Sequence, residues 1–304
     1  MAARRTTVTP LAAAALIESA FAKINLTLRI VGRRGDGYHD LESLVCFASL
    51  ADRLELRVDA PLELRVSGPM AVHAGALEDN LVLRAARALD LRVKDLRLGR
   101  FVLIKRLPVG AGLGGGSSDA AAALRLLARA NGLTLDDERV REAARETGAD
   151  VPVCLDPRAR WMRGTGDILS EPVAVPRMFA LLVHPSLPLA TRDVFTELAA
   201  PPRPEPGDGD VPPVPAARKD FAAFLAGHGN DLEAPAIRLA PIIDDVLMLL
   251  REQPGCVLAR MSGSGSTCFG VFATRSASVI AARAIADLHP AWWVRTTELG
   301  ASLG

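Results

Sequence analysis

Hydrophobic and polar positions along the chain predict strands and helices in mixed order. Apolar and β-branched runs predict strands over residues 21–31, 41–50, 53–58, 62–66, 101–105, 179–183, 257–261, 267–273 and 292–297. Apolar residues at helical spacing predict helices over 81–89, 118–130, 136–147, 221–227, 237–252 and 276–288. Because hairpin-like strands are mixed with helices, we expect an α+β fold rather than a doubly wound parallel sheet.

Two segments interrupt this pattern. Residues 200–217 are rich in proline, glycine and aspartate, and we expect a loop too poor in apolar side chains to order itself. Residues 1–18 include an apolar stretch after Arg4 and Arg5 that loosely resembles a signal peptide. Cleavage near Ala20 would fall against the first predicted strand, and Glu18 does not suit such a segment. We therefore favour an N-terminal extension over a signal peptide.

Composition excludes several classes of protein. The chain has 304 residues, enough for one large or two ordinary domains, and 36 basic against 35 acidic side chains. This balance argues against a protein that mainly binds nucleic acid or an anionic membrane. The four cysteines lie far apart without CxxC pairs, which indicates free thiols in a reducing compartment. No apolar run approaches the roughly 20 residues of a membrane span, so we expect a cytoplasmic protein.

A glycine-rich loop, PVGAGLGGGSSD at residues 108–119, is the clearest candidate for chemistry. Five of its seven residues from 110 to 116 are glycine, so backbone amides can approach a ligand without an intervening Cβ. We expect Ser117 or Ser118 to cap the following helix, whose N-terminus would attract anions. The loop therefore suits a diphosphate or triphosphate, although a tight structural turn remains the alternative.

Two familiar phosphate motifs fit the loop incompletely. Gly110, Gly112 and Gly115 match GxGxxG, but the next predicted element is a second helix rather than a parallel strand ending in an acid. The Walker pattern also nearly fits, with Gly116 where lysine is required. Such a loop needs positive charge from a metal ion, another lysine, or both.

The loop resembles the phosphate loop of the GHMP kinases, which include galactokinase, homoserine kinase and mevalonate kinase. Residues 22–26 (AKINL), 35–39 (GDGYH) and 148–152 (GADVP) are similar to the branch that phosphorylates a cytidine diphosphate-linked methylerythritol. Residues 263–267 (GSGST) resemble the third family motif. These segments follow in order over most of the chain, whereas Phe21 stands where proline is more usual.

The resemblance implies a two-lobed fold with the active site between the lobes. Residues 19–157 would form the nucleotide-binding domain and residues 158–304 the substrate domain. The implied reaction transfers phosphate from ATP, with Mg²⁺, to the 2-hydroxyl of this small molecule in non-mevalonate isoprenoid biosynthesis. No nucleic acid or membrane partner is expected, and the sequence leaves the oligomeric state open.

The resemblance also implies site residues. Lys23 and Asp150 match the catalytic pair of the family. Without the resemblance, Lys23 would be interpreted as a solvated lysine on a strand and Asp150 as a turn residue. The implied ATP-binding residues are Asn80, Pro108, Val109, Gly110, Ala111, Gly112, Leu113, Gly114, Gly115, Gly116, Ser117 and Ser118. The implied substrate-binding residues are Asn25, Tyr38, His39, Thr191 and Phe195.

Individual roles follow from the family pattern. Tyr38 and Phe195 would sandwich the cytosine base, and His39 would hydrogen-bond its edge. Asn80 is equally well explained as a helix cap. No acidic residue is clearly placed as a Mg²⁺ ligand. Another GHMP kinase, a non-catalytic nucleotide-binding regulator and a dinucleotide-dependent oxidoreductase are the alternative functions.

Overall fold

The computed structural model describes residues 15–58, 60–73, 75–202 and 211–300. Within these ranges lie eleven strands and nine α-helices. The strands are β1 (Leu16–Asn25), β2 (Arg29–Arg33), β3 (His39–Val58), β4 (Glu63–Ser67), β5 (Gly99–Ile104), β6 (Arg160–Gly164), β7 (Ile168–Leu169), β8 (Met178–His184), β9 (Cys256–Met261), β10 (Cys268–Phe272) and β11 (Trp293–Leu299). The helices are α1 (Leu81–Asp90), α2 (Gly115–Ala130), α3 (Glu138–Thr147), α4 (Val151–Leu155), α5 (Thr191–Leu198), α6 (Arg218–Ala226), α7 (Glu233–Leu239), α8 (Ile242–Glu252) and α9 (Arg275–Leu288).

The 20-residue strand β3 organises the sheet. Strands β1, β2, β5 and β6 all pair with it antiparallel, and β4 pairs with β5 parallel. The later strands follow in the order β11-β8-β10-β9. A pairing of Leu299 in β11 with Ala48 in β3 joins the two groups of strands. Strand β3 is therefore common to both parts of the molecule.

Apolar side chains form three buried clusters. The first lies between helices α1 to α4 and the strands β1, β3 and β5. The third lies between helices α7 to α9 and the strands β8 to β11. The second cluster connects them and includes Leu107, Ala111 and Leu113, so the phosphate loop is anchored in the middle of the core. The expected mixed fold of helices and strands is confirmed.

The structure corrects two strand predictions. Residues 41–50 and 53–58 form the single strand β3, because Asp52 is buried within it instead of interrupting it. The predicted strand 21–31 is two strands, β1 ending at Asn25 and β2 beginning at Arg29. Strand β1 also begins at Leu16, inside the segment predicted as an extension.

The structure also corrects the helix predictions. The predicted helix 237–252 is two helices, α7 and α8, separated at Ala240 and Pro241. Proline lacks the N–H that would continue the α7 hydrogen-bond ladder, and its ring clashes with the preceding turn. The short helices α4 and α5 follow glycine- and proline-rich motifs and were not predicted.

Several predictions fall at the edge of the described residues. Residues 1–14 of the extension and 203–210 of the proline-rich segment lie outside them. The domain boundary at 157/158 stays a prediction, although β6 after it pairs with β3 and β7 pairs with β6. The four cysteines are free thiols. No helix of the described chain is long and apolar enough to cross a membrane, and a cytoplasmic location stays a prediction.

Candidate active site

The phosphate loop connects β5 to α2 through a left-handed backbone. Gly110, Gly112 and Gly114 have φ values of 64°, 74° and 59°, a region that other residues adopt only with strain. Helix α2 begins at Gly115, and its N-cap is Gly114, without a side-chain hydrogen bond. The predicted serine cap is therefore wrong. Ser118 lies inside the first turn, and its hydroxyl donates to the Phe21 carbonyl at 2.7 Å.

The loop is seated on the turn between β9 and β10. The Ser262 hydroxyl donates to the Gly112 carbonyl at 3.0 Å, and the Thr267 amide donates to the Ala111 carbonyl at 3.2 Å. A Cβ on Gly112 would lie 2.3 Å from the Ser262 carbonyl oxygen. The two glycine-rich motifs, 150 residues apart in the sequence, therefore pack backbone against backbone.

Lys23 and Asp150 meet beside this loop. The Lys23 amide donates to the Leu113 carbonyl at 2.9 Å, which fixes β1 against the loop. The Lys23 Nζ lies 2.8 Å from the Asp150 Oδ2. The lysine side chain is 5% exposed and that of the aspartate is 34% exposed, so only the carboxylate is substantially open to solvent. Asp150 is held immediately before α4, where Pro152 suits the first turn.

Asn25 lies two residues further along β1 and is 1% exposed. Its backbone amide donates to the Ser262 hydroxyl at 3.2 Å, and its side-chain Nδ2 donates to the Ser43 hydroxyl at 2.8 Å. The buried Oδ1 atom has no hydrogen-bond partner among the described residues. This oxygen lies on the Gly263 side, where a Cβ on that glycine would be 3.3 Å away. A buried acceptor without a partner is costly, which suits an atom that receives a bond from a ligand.

Of the other predicted substrate residues, Tyr38 directly precedes β3, His39 begins it, and Thr191 and Phe195 lie on α5. The rings of His39 and Phe195 are 4.8 Å apart and tilted by 31°. Burial, and secondarily the charge of Arg33, lowers the pKa of His39, so the ring is mostly neutral near pH 7. Tyr38 is 66% exposed, and the sandwich with Phe195 stays a prediction. Thr191, at the start of α5, hydrogen-bonds through its hydroxyl to that of Ser264 at 2.8 Å.

Asn80 caps helix α1. Its Oδ1 accepts a hydrogen bond from the Val82 amide at 3.0 Å. The structure therefore shows the helix-capping role of Asn80. An adenosine contact would have to come from other atoms of this residue. At the start of the loop Pro108 is buried and Val109 is 39% exposed.

Three serines of the β9–β10 turn make contacts that the sequence motif alone did not indicate. Ser262 contacts the phosphate loop, and Ser264 contacts Thr191. Ser266 lies 3.1 Å from the Nδ1 of His184, a buried histidine whose pKa is lowered to about 4, mainly by burial. The regular spacing of these serines was the sequence signal for them, but the residues that they contact come from distant segments of the chain.

No cluster of three histidine, cysteine or acidic side chains that could hold a metal ion occurs in residues 15–58, 60–73, 75–202 and 211–300. Mg²⁺ commonly binds through nucleotide phosphates and water with only one or two protein oxygens. The open Asp150 carboxylate and the half-buried Ser117 in the first turn of α2 are oxygen donors of that kind. The residues present therefore fit a metal ion carried by the nucleotide.

Family models match both parts of the chain. The GHMP kinases N terminal domain matches residues 80–156, and the GHMP kinases C terminal domain matches residues 215–291. The first match includes the phosphate loop and Asp150. The second includes the turn that holds Ser262 to Ser266.

Curated relatives agree over nearly the whole chain. The 4-diphosphocytidyl-2-C-methyl-D-erythritol kinase of Methylobacterium radiotolerans is 57% identical over 287 residues, which is 93% of this chain and 99% of that protein. The protein of the same name from Xanthobacter autotrophicus is 56% identical over 284 residues, 91% of this chain and 97% of that protein.

Solved structures agree with the fold. A crystal structure of 4-(cytidine 5'-diphospho)-2C-methyl-D-erythritol kinase superposes with a TM-score of 0.74 and 33% identity, covering 94% of this chain and all of that one. A homoserine kinase from Cytophaga hutchinsonii, 18% identical, has a TM-score of 0.64 over 97% of each chain, which shows the fold alone. On the family models and these relatives together, the chain belongs to the GHMP kinase family.

Proposed function

We propose that this protein transfers the γ-phosphoryl group of ATP to the 2-hydroxyl of 4-diphosphocytidyl-2-C-methyl-D-erythritol, a step of non-mevalonate isoprenoid precursor biosynthesis. The relatives that are more than half identical over the chain bear this name. The observation that carries the proposal is the Lys23–Asp150 pair, 2.8 Å apart, beside a glycine-rich loop at a helix N-terminus.

Phosphoryl transfer requires an in-line acceptor oxygen and positive charge near the transferring oxygens. The loop amides and the N-terminus of α2 would hold the β- and γ-phosphates. The Asp150 carboxylate would accept the proton of the acceptor hydroxyl or orient that hydroxyl. As the new oxygen–phosphorus bond forms, the bond to the β-phosphate oxygen breaks and ADP leaves. Lys23 would stabilise the negative charge on the transferring group.

The acceptor would lie across the strands that carry Asn25 and His39. The unpartnered Asn25 Oδ1 would accept a hydrogen bond from the methylerythritol part. The cytosine would lie at the ring pair of His39 and Phe195, with the exposed Tyr38 closing on the base. Neither homoserine nor mevalonate carries a base that this group of rings would bind.

Ser117 would help to hold Mg²⁺, which would supply neutralisation of phosphate charge when bound. Its protein ligands would be few, and Ser117 is the residue we expect to contribute an oxygen. Lys23 would add the positive charge that the loop lacks at Gly116.

The test is ADP release by the purified protein with Mg-ATP and each of three acceptors: the cytidylyl substrate, homoserine and mevalonate. We expect turnover with the cytidylyl substrate alone. Lys23→Ala and Asp150→Ala should each lower kcat by about 10²-fold or more, since each removes a group from the transfer step.

Lys219→Ala and Asp220→Ala are matched controls, because both side chains are exposed on α6. They should leave turnover unchanged. Turnover with another acceptor would contradict the proposed base pocket but would remain consistent with the proposed phosphate loop. ATP binding without any turnover would contradict the proposed function and favour a regulator.

A further inference from the structure

A buried ionic cluster lies beneath the phosphate loop. The Nζ of Lys105 contacts the Asp52 Oδ2 at 2.5 Å and the Asp119 Oδ2 at 2.7 Å. The side chains of Lys105, Asp52 and Asp119 are 2%, 0% and 4% exposed. None of the three is among the residues assigned above to the nucleotide, the metal ion or the acceptor.

The cluster joins the two ends of the loop. The Asp52 Oδ1 accepts hydrogen bonds from the amides of Arg106 and Leu107, at 2.5 and 2.9 Å. These two residues come directly before Pro108, where the loop begins. Asp119 belongs to the first turns of α2, where the loop ends. Lys105 bonds both carboxylates and so connects the two ends.

The ammonium also lies against the start of the helix. A Cβ placed on Gly115 would be 3.6 Å from the Lys105 Nζ and 3.9 Å from the Asp52 Oδ2. Gly115 is the first residue of α2, and its turn presents the amides that suit phosphate. A displacement of the cluster would therefore move those amides.

The cluster is an expensive way to fill a core. Two carboxyl groups share one ammonium, so one negative charge would be left over in a buried site if both were ionised. Burial, together with the charge of Asp52, raises the pKa of Asp119 above its usual range against the opposing charge of Lys105. Apolar side chains of similar volume often stabilise a protein more than such a group does. The cluster is therefore better explained by the loop geometry that it fixes than by a gain in stability.

We propose that Asp119 and Lys105 are positioning residues that set the separation of the two ends of the phosphate loop and thereby the affinity for nucleotide. Lys105 is not the lysine that the loop lacks, because its ammonium is enclosed by two carboxylates away from solvent. This inference rests on the loop binding ATP in the proposed function.

The test compares Asp119→Asn with Asp119→Leu. Asparagine keeps an oxygen that accepts from the Lys105 ammonium, whereas leucine has similar size and no acceptor. We expect Asp119→Leu to raise the Kd for a non-hydrolysable ATP analogue by about tenfold or more, the order set by one lost buried charge-assisted hydrogen bond. Asp119→Asn should stay within about threefold of the unaltered protein, since the bond to Lys105 is retained.

Binding is measured by calorimetry without acceptor, so the result is independent of which acceptor is used. The KM for the acceptor should change little in either variant. If Asp119→Leu does not fold, Asp119→Ala replaces it, because a smaller side chain leaves space for water. Unchanged nucleotide affinity in a folded leucine or alanine variant would overturn the inference. Loss of kcat in both the asparagine and leucine variants at unchanged affinity would also overturn it, since that pattern belongs to a residue acting on the reacting atoms.

Discussion

Gly112→Ala is the substitution for which the structure gives the most direct expectation. The residue has φ of +74°, and a Cβ there would lie 2.3 Å from the Ser262 carbonyl oxygen and 3.0 Å from the Gly265 amide nitrogen. Both contacts are to backbone, so no side-chain rotation relieves them. The loop and the β9–β10 turn would have to move apart.

Two costs add at this position. A left-handed backbone costs an alanine about 1–2 kcal/mol. Overpacking against neighbours that cannot rotate away costs a further ~1–3 kcal/mol. Gly110→Ala is the matched control, since Gly110 has φ of +64° and nothing within 4 Å of its Cβ position. Both variants share the backbone cost and the effect on the unfolded chain, so the difference between them isolates the contact with the turn.

Thermal unfolding without nucleotide measures this difference. At about 2 °C per kcal/mol for a chain of this size, Gly112→Ala should unfold about 2–6 °C below Gly110→Ala. Equal midpoints for the two variants would refute the packing of Gly112 on the Ser262 carbonyl. A lower midpoint for Gly110→Ala would refute the open space described around that residue.

Further predictions concern the acceptor, the base and pH. Asp150→Asn should lower kcat by about 10²-fold or more with little change in the KM for ATP; a small loss in steady-state assays would leave the carboxylate only a positioning role. Phe195→Ala should raise the KM for the cytidylyl substrate by about tenfold, the order of one lost base stack, and an unchanged KM would argue against the base site. His184 has a pKa of about 4 in the folded protein against 6.5 ordinarily, because of burial and, secondarily, His73. The unfolded chain therefore binds more protons between these values, and stability falls as pH drops below about 6.5, by about 2 kcal/mol at pH 5. His184→Asn should remove that loss in denaturant unfolding at pH 7 and 5, and an identical pH dependence in both proteins would contradict it.

The sequence was informative where local residue types dictate the backbone. Consecutive glycines before an apolar helix predicted the phosphate loop, and the structure has left-handed residues at three of them. The family resemblance paired Lys23 with Asp150, which lie in contact, although their catalytic roles stay predictions. The loop could be predicted because left-handed backbone positions accept few residue types other than glycine.

The sequence was uninformative where a residue's environment comes from distant segments. Asp52 interrupts an apolar pattern, which predicted a break between strands. In the fold it is compensated by Lys105 and two amides more than 50 residues away, so the strand continues through it. Pro241 is a different case, because the break there is local. The periodicity is helical on both sides, and the missing N–H and the ring of Pro241 separate α7 from α8. Periodicity records which face is buried and not which partners are found there.

The arrangement around β3 has a consequence for how the chain folds during synthesis. The partners of this strand come from segments translated both before and long after it, ending with Leu299 opposite Ala48. Contacts of such sequence separation slow folding and leave strand edges unpaired in the meantime. On the ribosome, the edge of β3 that pairs with β11 stays unpaired there until nearly the whole chain has emerged. We therefore expect nascent chains that stop before β11 to expose this edge and to depend on chaperones, whereas chains released after β11 can close the sheet.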